Sequence, residues 1–274
     1  MMISTPLLEK IRLSTNPYGD PTQIINEIEL PTEDGEQLES HRHRKQINLL
    51  IDCMEQARKG KADFFAGGNM FVHYDLEVAL RRGFRGPDFF VVLDVDGSHQ
   101  RQSWVVWKEG GRYPDVIVEL LSTSTAHYDL HEKKRFYEQI FHTPEYFCYD
   151  PFDADSLVGW RLQGTKGYAP IRAQEDGWLW SQKLNLYLGP WFGVFQKEET
   201  DWLRFYDKDG ELIPTAAEEA IEMAIQETYR AEQAAQRAEQ EAQRAEQEAI
   251  ARAAAEDRIR QLEEQLRLLQ EQKS

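Results

Sequence analysis

At 274 residues, with 41% hydrophobic and 11% aromatic side chains, the chain is long enough for one good-sized domain and an appendage, and too short for three ordinary domains. No stretch approaches the roughly 20 apolar residues of a membrane span, and the opening MMISTPLLEKIRL lacks the apolar run of a secretory signal, so a soluble, cytoplasmic protein without a membrane partner is expected. The formal net charge of −16 argues against nucleic-acid binding by bulk electrostatics, since phosphate contacts need cations, although a local basic patch can sit on an acidic whole.

Residues 1–38, with Pro6, Pro17, Pro21 and Pro31, read as an N-terminal arm carrying one short strand in IINEIEL. From Glu39 the period becomes helical: Ile47, Leu50, Ile51, Met54 and Ala57 recur at three- and four-residue steps, and the helix ends near Gly60. Strand-like segments follow, namely GGNMFVHY after Gly67-Gly68, PDFFVVLDV over 87–95, SWVVW over 103–107 and PDVIVEL over 114–120. A second helix comes next, with Asp129 and Glu132 matching a capping box that starts it at Leu130. EYFCYDP is then another strand. This order implies an α/β core, a central sheet flanked by helices, across 39–214. VGWRL, GYAPI, GWLW, LNLYLG and LRFYD extend that core as short strands. Cys53 and Cys148 lie in apolar stretches with no CxxC and no His at ligand spacing, which favours buried thiols over zinc or a disulfide.

Over 215–274 the composition changes. RAEQAAQ, RAEQEAQ and RAEQEAI repeat every seven residues from Arg230, and no Gly or Pro interrupts the run. Glu248–Arg252, Glu256–Arg260 and Glu263–Arg267 are favourable i,i+4 pairs. One long charged helix is expected. Its seam is mostly alanine until Ile259, Leu262, Leu266 and Leu269, so residues 255–270 could form a homodimeric or hetero-partner coiled coil, or the helix could stand alone in solvent.

The chemistry concentrates in the middle of the chain. In PDVIVEL alternation puts Asp115, Ile117 and Glu119 on one face and Val116 and Val118 on the other. PDFFVVLDV has the same grammar, with Asp88 at its mouth and Phe90 and Val92 behind it. An acid in a buried strand needs a cation or donors, and two such strands can hold one Mg²⁺ through two carboxylates. Asp115, four residues from Glu119 and about 13 Å away along an extended chain, is a poor ligand for the same ion. On the second helix Leu130, Phe136, Tyr137, Ile140 and Phe141 form an apolar sector. Lys133 falls roughly 25° from its centre and Lys134 roughly 75° away, so Lys133 should point at the sheet. Two carboxylates, one metal and one lysine suit phosphodiester cleavage; a buried Asp/Glu–Lys ion-pair network without catalysis is the other reading of the same residues.

The ordered series PDFFVV, WVVWKEG, PDVIVELLSTST and DLHEKKRFYEQIFHTPEYFCYDP, with VGWRL through LRFYD behind it, resembles the Uma2 (DUF820) family of the PD-(D/E)XK nuclease superfamily across about residues 39–213. The resemblance implies a restriction-endonuclease-like core and an Mg²⁺- or Mn²⁺-dependent endonuclease acting on DNA. It implies that Asp88 is the first metal-binding aspartate and Glu119 the acidic member of the (D/E)XK element. The superfamily lysine, two residues after the acid, is replaced here by Leu121, and Lys133 on the following helix would serve instead. Glu39, His41 and His43 could add a polar group from the first helix or simply be exposed at its start. His41–Lys45, Arg81–Arg85 and Lys133–Arg135 are basic clusters for guiding a phosphate backbone, or merely solvated faces. The competing function is a catalytically silent nuclease-fold module that binds nucleic acid or protein through its surface and C-terminal helix.

Overall fold

The computed structural model describes residues 30, 40–80 and 83–271, so the arm at 1–38, Glu39, Arg81 and Arg82 lie outside the described residues, Leu30 excepted. The chain divides into two units, one ending at Ala216 and the other beginning at Ala217. In the first, helix α1 spans His41–Ala57, capped by the Ser40 hydroxyl, which accepts from the His43 amide at 3.3 Å. Strands β1 (Phe64–Gly68) and β2 (Val72–His73), the short helix α2 (Leu76–Leu80), and strands β3 (Phe89–Leu93), β4 (Trp104–Val105) and β5 (Val116–Leu120) follow. The contiguous helical segments Ala126–Tyr128, Asp129–Lys133, Lys134–Phe136 and Tyr137–Phe141 together make α3. After it come β6 (Glu145–Asp150), β7 (Asp153–Leu162), β8 (Tyr168–Pro170), β9 (Leu179–Ser181), β10 (Leu186–Phe195) and β11 (Glu198–Tyr206).

The central sheet has the order β1-β3-β5-β6-β7-β8, parallel only between β5 and β6, which the α3 crossover joins; the other pairs are antiparallel. The mixed α/β architecture with a β-rich extension is the one its sequence implies. Alternation sorts each central strand onto two faces. Phe89, Val91, Val116, Val118, Phe147 and Tyr149 pack toward α1 and the β9–β11 sheet. Phe90, Val92, Ile117, Tyr146 and Cys148 pack toward α3, through its Tyr137 and Phe141. Gln46 fastens α1 to the second sheet, its side chain both donating to and accepting from the Leu203 backbone at 2.9 Å. Cys53 and Cys148 are buried thiols, not joined in a disulfide.

Two expectations are corrected. The strand assigned to GGNMFVHY lies earlier, at Phe64–Gly68, with a separate two-residue strand at Val72–His73. The glycine pair is part of β1 because a Cβ at Gly68 would press on Ile47 and lie 2.9 Å from the Asp88 carbonyl oxygen. The second correction concerns α3. It begins at Ala126, not Leu130, because the Ser122 hydroxyl takes the amides of Ser124 and Thr125, both at 3.2 Å. Asp129 therefore lies inside the helix, 1% exposed, rather than capping it.

The second unit is the helix α4, Ala216–Glu271, starting at the boundary residue. Ile259 and Leu262 are 56% and 44% exposed on it. The side chains of Leu266 and Leu269 lie outside the described residues. Among the described residues no helix is long and apolar enough to cross a membrane.

Candidate active site at the end of the central sheet

The β3–β5 register pairs Phe89 with Val118 and Phe90 with Ile117, so one step further Asp88 stands opposite Glu119. Directly opposed like charges repel, and the pair survives here because donors and a cation converge on it. Lys133 Nζ lies 3.1 Å from Glu119 Oε2 and 2.8 Å from Asp129 Oδ1. Tyr137, fully buried, donates its hydroxyl to Glu119 Oε1 at 2.9 Å. The Asp88 amide lies 3.4 Å from Glu119 Oε2, and the Leu120 amide donates to Asp88 Oδ2 at 2.7 Å. Asp88, Glu119 and Lys133, singled out from the sequence, are thus brought together. Leu121, in the slot where the superfamily lysine would stand, is buried among the apolar residues under α3.

Burial dominates the electrostatics. It pushes the carboxyl of the fully buried Glu119 up to about 7; the Lys133 charge opposes this and the Asp88 charge adds to it. Asp88, which is partly exposed, is also raised, by burial against the pull of Lys133. Asp129 is raised by burial and then by Glu119. Burial disfavours the ammonium form of Lys133, but the carboxylates of Glu119, Asp129 and Asp88 outweigh it and hold its pKa above the usual lysine range. Three carboxylates around one ammonium leave a local charge of −2 when all are ionised, which is the charge a divalent cation would balance.

The donor set fits such an ion. Among the described residues no three His, Cys, Asp or Glu side chains form a ready metal cage, but Mg²⁺ typically takes one or two carboxylates and keeps several waters. Two donors engage Glu119 Oε2 and one engages Oε1, and a carboxylate offers about four lone-pair sites, which leaves one on Oε1; the partly exposed Asp88 supplies the second carboxylate.

Asp129 and Tyr137 were missed as site residues. The signal was present: with Lys133 they stand at i, i+4 and i+8, one stripe of a helix. Two stretches of α3, Asp129–Lys133 and Tyr137–Phe141, are π-type turns, a distortion that recurs at functional sites.

The remaining candidates fall elsewhere. Asp115 holds the Leu93 amide at 2.9 Å and pairs with Arg112 and Lys183, away from Glu119. His41 is exposed, whereas His43 is buried, with Nε2 3.3 Å from the Leu121 carbonyl oxygen. Of the basic clusters, Arg42 and Lys45 pair with Glu198, Arg85 lies 4.2 Å over the Phe136 ring, and Lys134 lies 4.2 Å over the Trp160 ring.

A mixed sheet that presents two facing acids at one end, with a helix packed across them, is the architecture of the restriction-endonuclease-like nucleases. The chain belongs to the Uma2 family, whose model, described as "Putative restriction endonuclease", matches residues 27–194. It is also similar to a crystal structure described as "a putative nuclease belonging to DUF820" from Anabaena variabilis: 13% identity, 57% of this chain and 78% of that one covered, TM-score 0.39. No curated protein matches the chain.

Proposed function

We propose that the chain is a divalent-metal-dependent endonuclease that hydrolyses phosphodiester bonds in DNA in the cytoplasm, with Asp88 and Glu119 holding Mg²⁺ or Mn²⁺ and Lys133 assisting. The observation that carries this reading is the opposition of Asp88 and Glu119 across the β3–β5 pair with the Lys133 amine 3.1 Å from Glu119. When bound, the cation would polarise the scissile phosphate and lower the pKa of a bound water. Lys133 keeps its proton and offers positive charge where negative charge develops on the phosphate. Asp129 and Tyr137 hold Lys133 and Glu119 in place, which limits the reorganisation needed during reaction.

The test is nicking of supercoiled plasmid by the purified protein with Mg²⁺, Mn²⁺ or EDTA, beside Glu119→Ala and Lys133→Ala. Metal-dependent nicking lost in both variants supports the enzyme and its site; nicking that survives both rules this site out. The second reading, a silent nuclease-fold module that binds nucleic acid or protein through its surface and α4, is favoured by Leu121 and by the net charge of −16. It predicts binding without cleavage under every metal, and helix pairing through 255–270.

A further inference from the structure

A cleft of about 450 Å³ opens past the C-terminal ends of β5 and β6. One wall is the start of α1 (Ser40 and His43), another is the hydroxyl run Ser122–Ser124 ahead of α3, and Asp150 and Phe152 close it. The cleft adjoins the candidate active site, because His43 reaches the Leu121 carbonyl oxygen at 3.3 Å and Ser122 is three residues from Glu119, at most about 11 Å along the chain.

Phe152 occupies the turn between β6 and β7 and is 62% exposed, although a phenyl ring gains by burial. The Arg42 guanidinium lies 4.3 Å over its ring. That guanidinium is itself fixed, by Glu198 at 2.7 Å and the Pro151 carbonyl oxygen at 3.2 Å. The His43 ring centroid is 6.2 Å from that of Phe152. The result is an exposed phenyl ring backed by a held guanidinium, with the buried His43 ring tilted beside it, in a cleft that is also lined by neutral hydroxyls. Planar aromatic and guanidinium surfaces stack on any nucleobase, and hydroxyls can bond sugar and phosphate oxygens. A base inside a duplex is already stacked and has no face to offer. Stacking also suits a protein of net charge −16, since it requires no excess of cations, and two acids, Asp150 and Glu198, stand in or beside this cleft.

Resting on the nuclease reading above, we propose that this cleft seats an unpaired nucleobase of the DNA strand presented to Asp88 and Glu119, with Phe152 as its stacking platform. The substrate class is then DNA with a single-stranded or extruded nucleotide beside the cleavage position. The test is fluorescence anisotropy in EDTA with a labelled single-stranded oligonucleotide and the blunt duplex of the same sequence, using wild type, Phe152→Ala, Phe152→Leu and Phe152→Trp. Wild type should prefer the single strand. Phe152→Ala and Phe152→Leu should weaken that binding about 10-fold, the loss of one base–aromatic stack, and Phe152→Trp should retain it. Single-strand affinity unchanged in Phe152→Ala, an equal loss toward duplex, or no single-strand binding by wild type would overturn the proposal. Plasmid nicking with Phe152-independent binding removes the cleft and leaves the nuclease. Phe152-dependent binding without nicking keeps the cleft and removes the nuclease.

Discussion

Raising the pH of the metal-free protein from about 5 to about 8 is expected to destabilise the compact unit through Glu119. Its carboxyl, ordinarily near 4.5, is raised to about 7 in the fold. Between those values the folded state holds more proton than the unfolded one, so the unfolding free energy has a negative slope with pH. The stabilisation is full below about 4.5 and is lost as pH rises through about 7. A shift of this size is worth on the order of 3 kcal/mol, or roughly 6–12 °C in melting temperature for a unit of this length. All seven tryptophans lie between Trp104 and Trp202, so intrinsic fluorescence follows this unit and not the C-terminal helix. Millimolar Mg²⁺ at the higher pH should restore much of the loss, since a ligand at about 100 times its Kd stabilises by about 2.7 kcal/mol. Glu119→Gln should flatten most of the pH slope and blunt the response to Mg²⁺. Identical slopes for wild type and Glu119→Gln across this window would refute the reasoning.

Lys133→Met removes the cation among three carboxylates and should cost roughly 3–5 kcal/mol near pH 8. The cost should be clearly less near pH 5, where Glu119 takes up a proton; urea melts with equal losses at both pH values would contradict this. Gly68→Ala sets a Cβ against Ile47 and 2.9 Å from the Asp88 carbonyl oxygen, and should destabilise by about 1–3 kcal/mol in the same melts. Cys53 and Cys148 are fully buried, and burial lifts the Cys148 thiol pKa far above its usual range. Neither should react with a thiol reagent in the native state, and labelling should track unfolding with denaturant. Deleting 217–274 should abolish any self-association in sedimentation velocity, whereas an unchanged profile would exclude pairing through 255–270.

Much of the site could be read from local periodicity. In PDVIVEL and PDFFVVLDV the two-residue alternation sorted the faces correctly, because both strands are buried on both sides and each side chain must meet a layer. The helical period alone picked Lys133 over Lys134, since an inward lysine and an outward one differ by a quarter turn. The role of Asp129 was obscured because an acid three residues before a glutamate is equally a capping box and an interior i,i+4 partner. What separates them is the Ser122 hydroxyl, already serving the amides of Ser124 and Thr125, together with burial that only the assembled sheet provides. The facing of Asp88 and Glu119 depended on an antiparallel register between segments about thirty residues apart, which no local pattern encodes.

The lysine's place on α3, rather than on β5 beside Glu119, makes the centre a coincidence detector. A strand lysine would be present wherever the strand pair formed. Here the acids come with the paired strands, whereas the ammonium comes with α3, packed on one face of the sheet, together with Asp129 and Tyr137. A nascent or partly opened chain, with its sheet paired and that helix adrift, carries the acids without their counter-charge and has no assembled centre. On the nuclease reading proposed above, activity would thus require α3 to be docked as well as the strands paired.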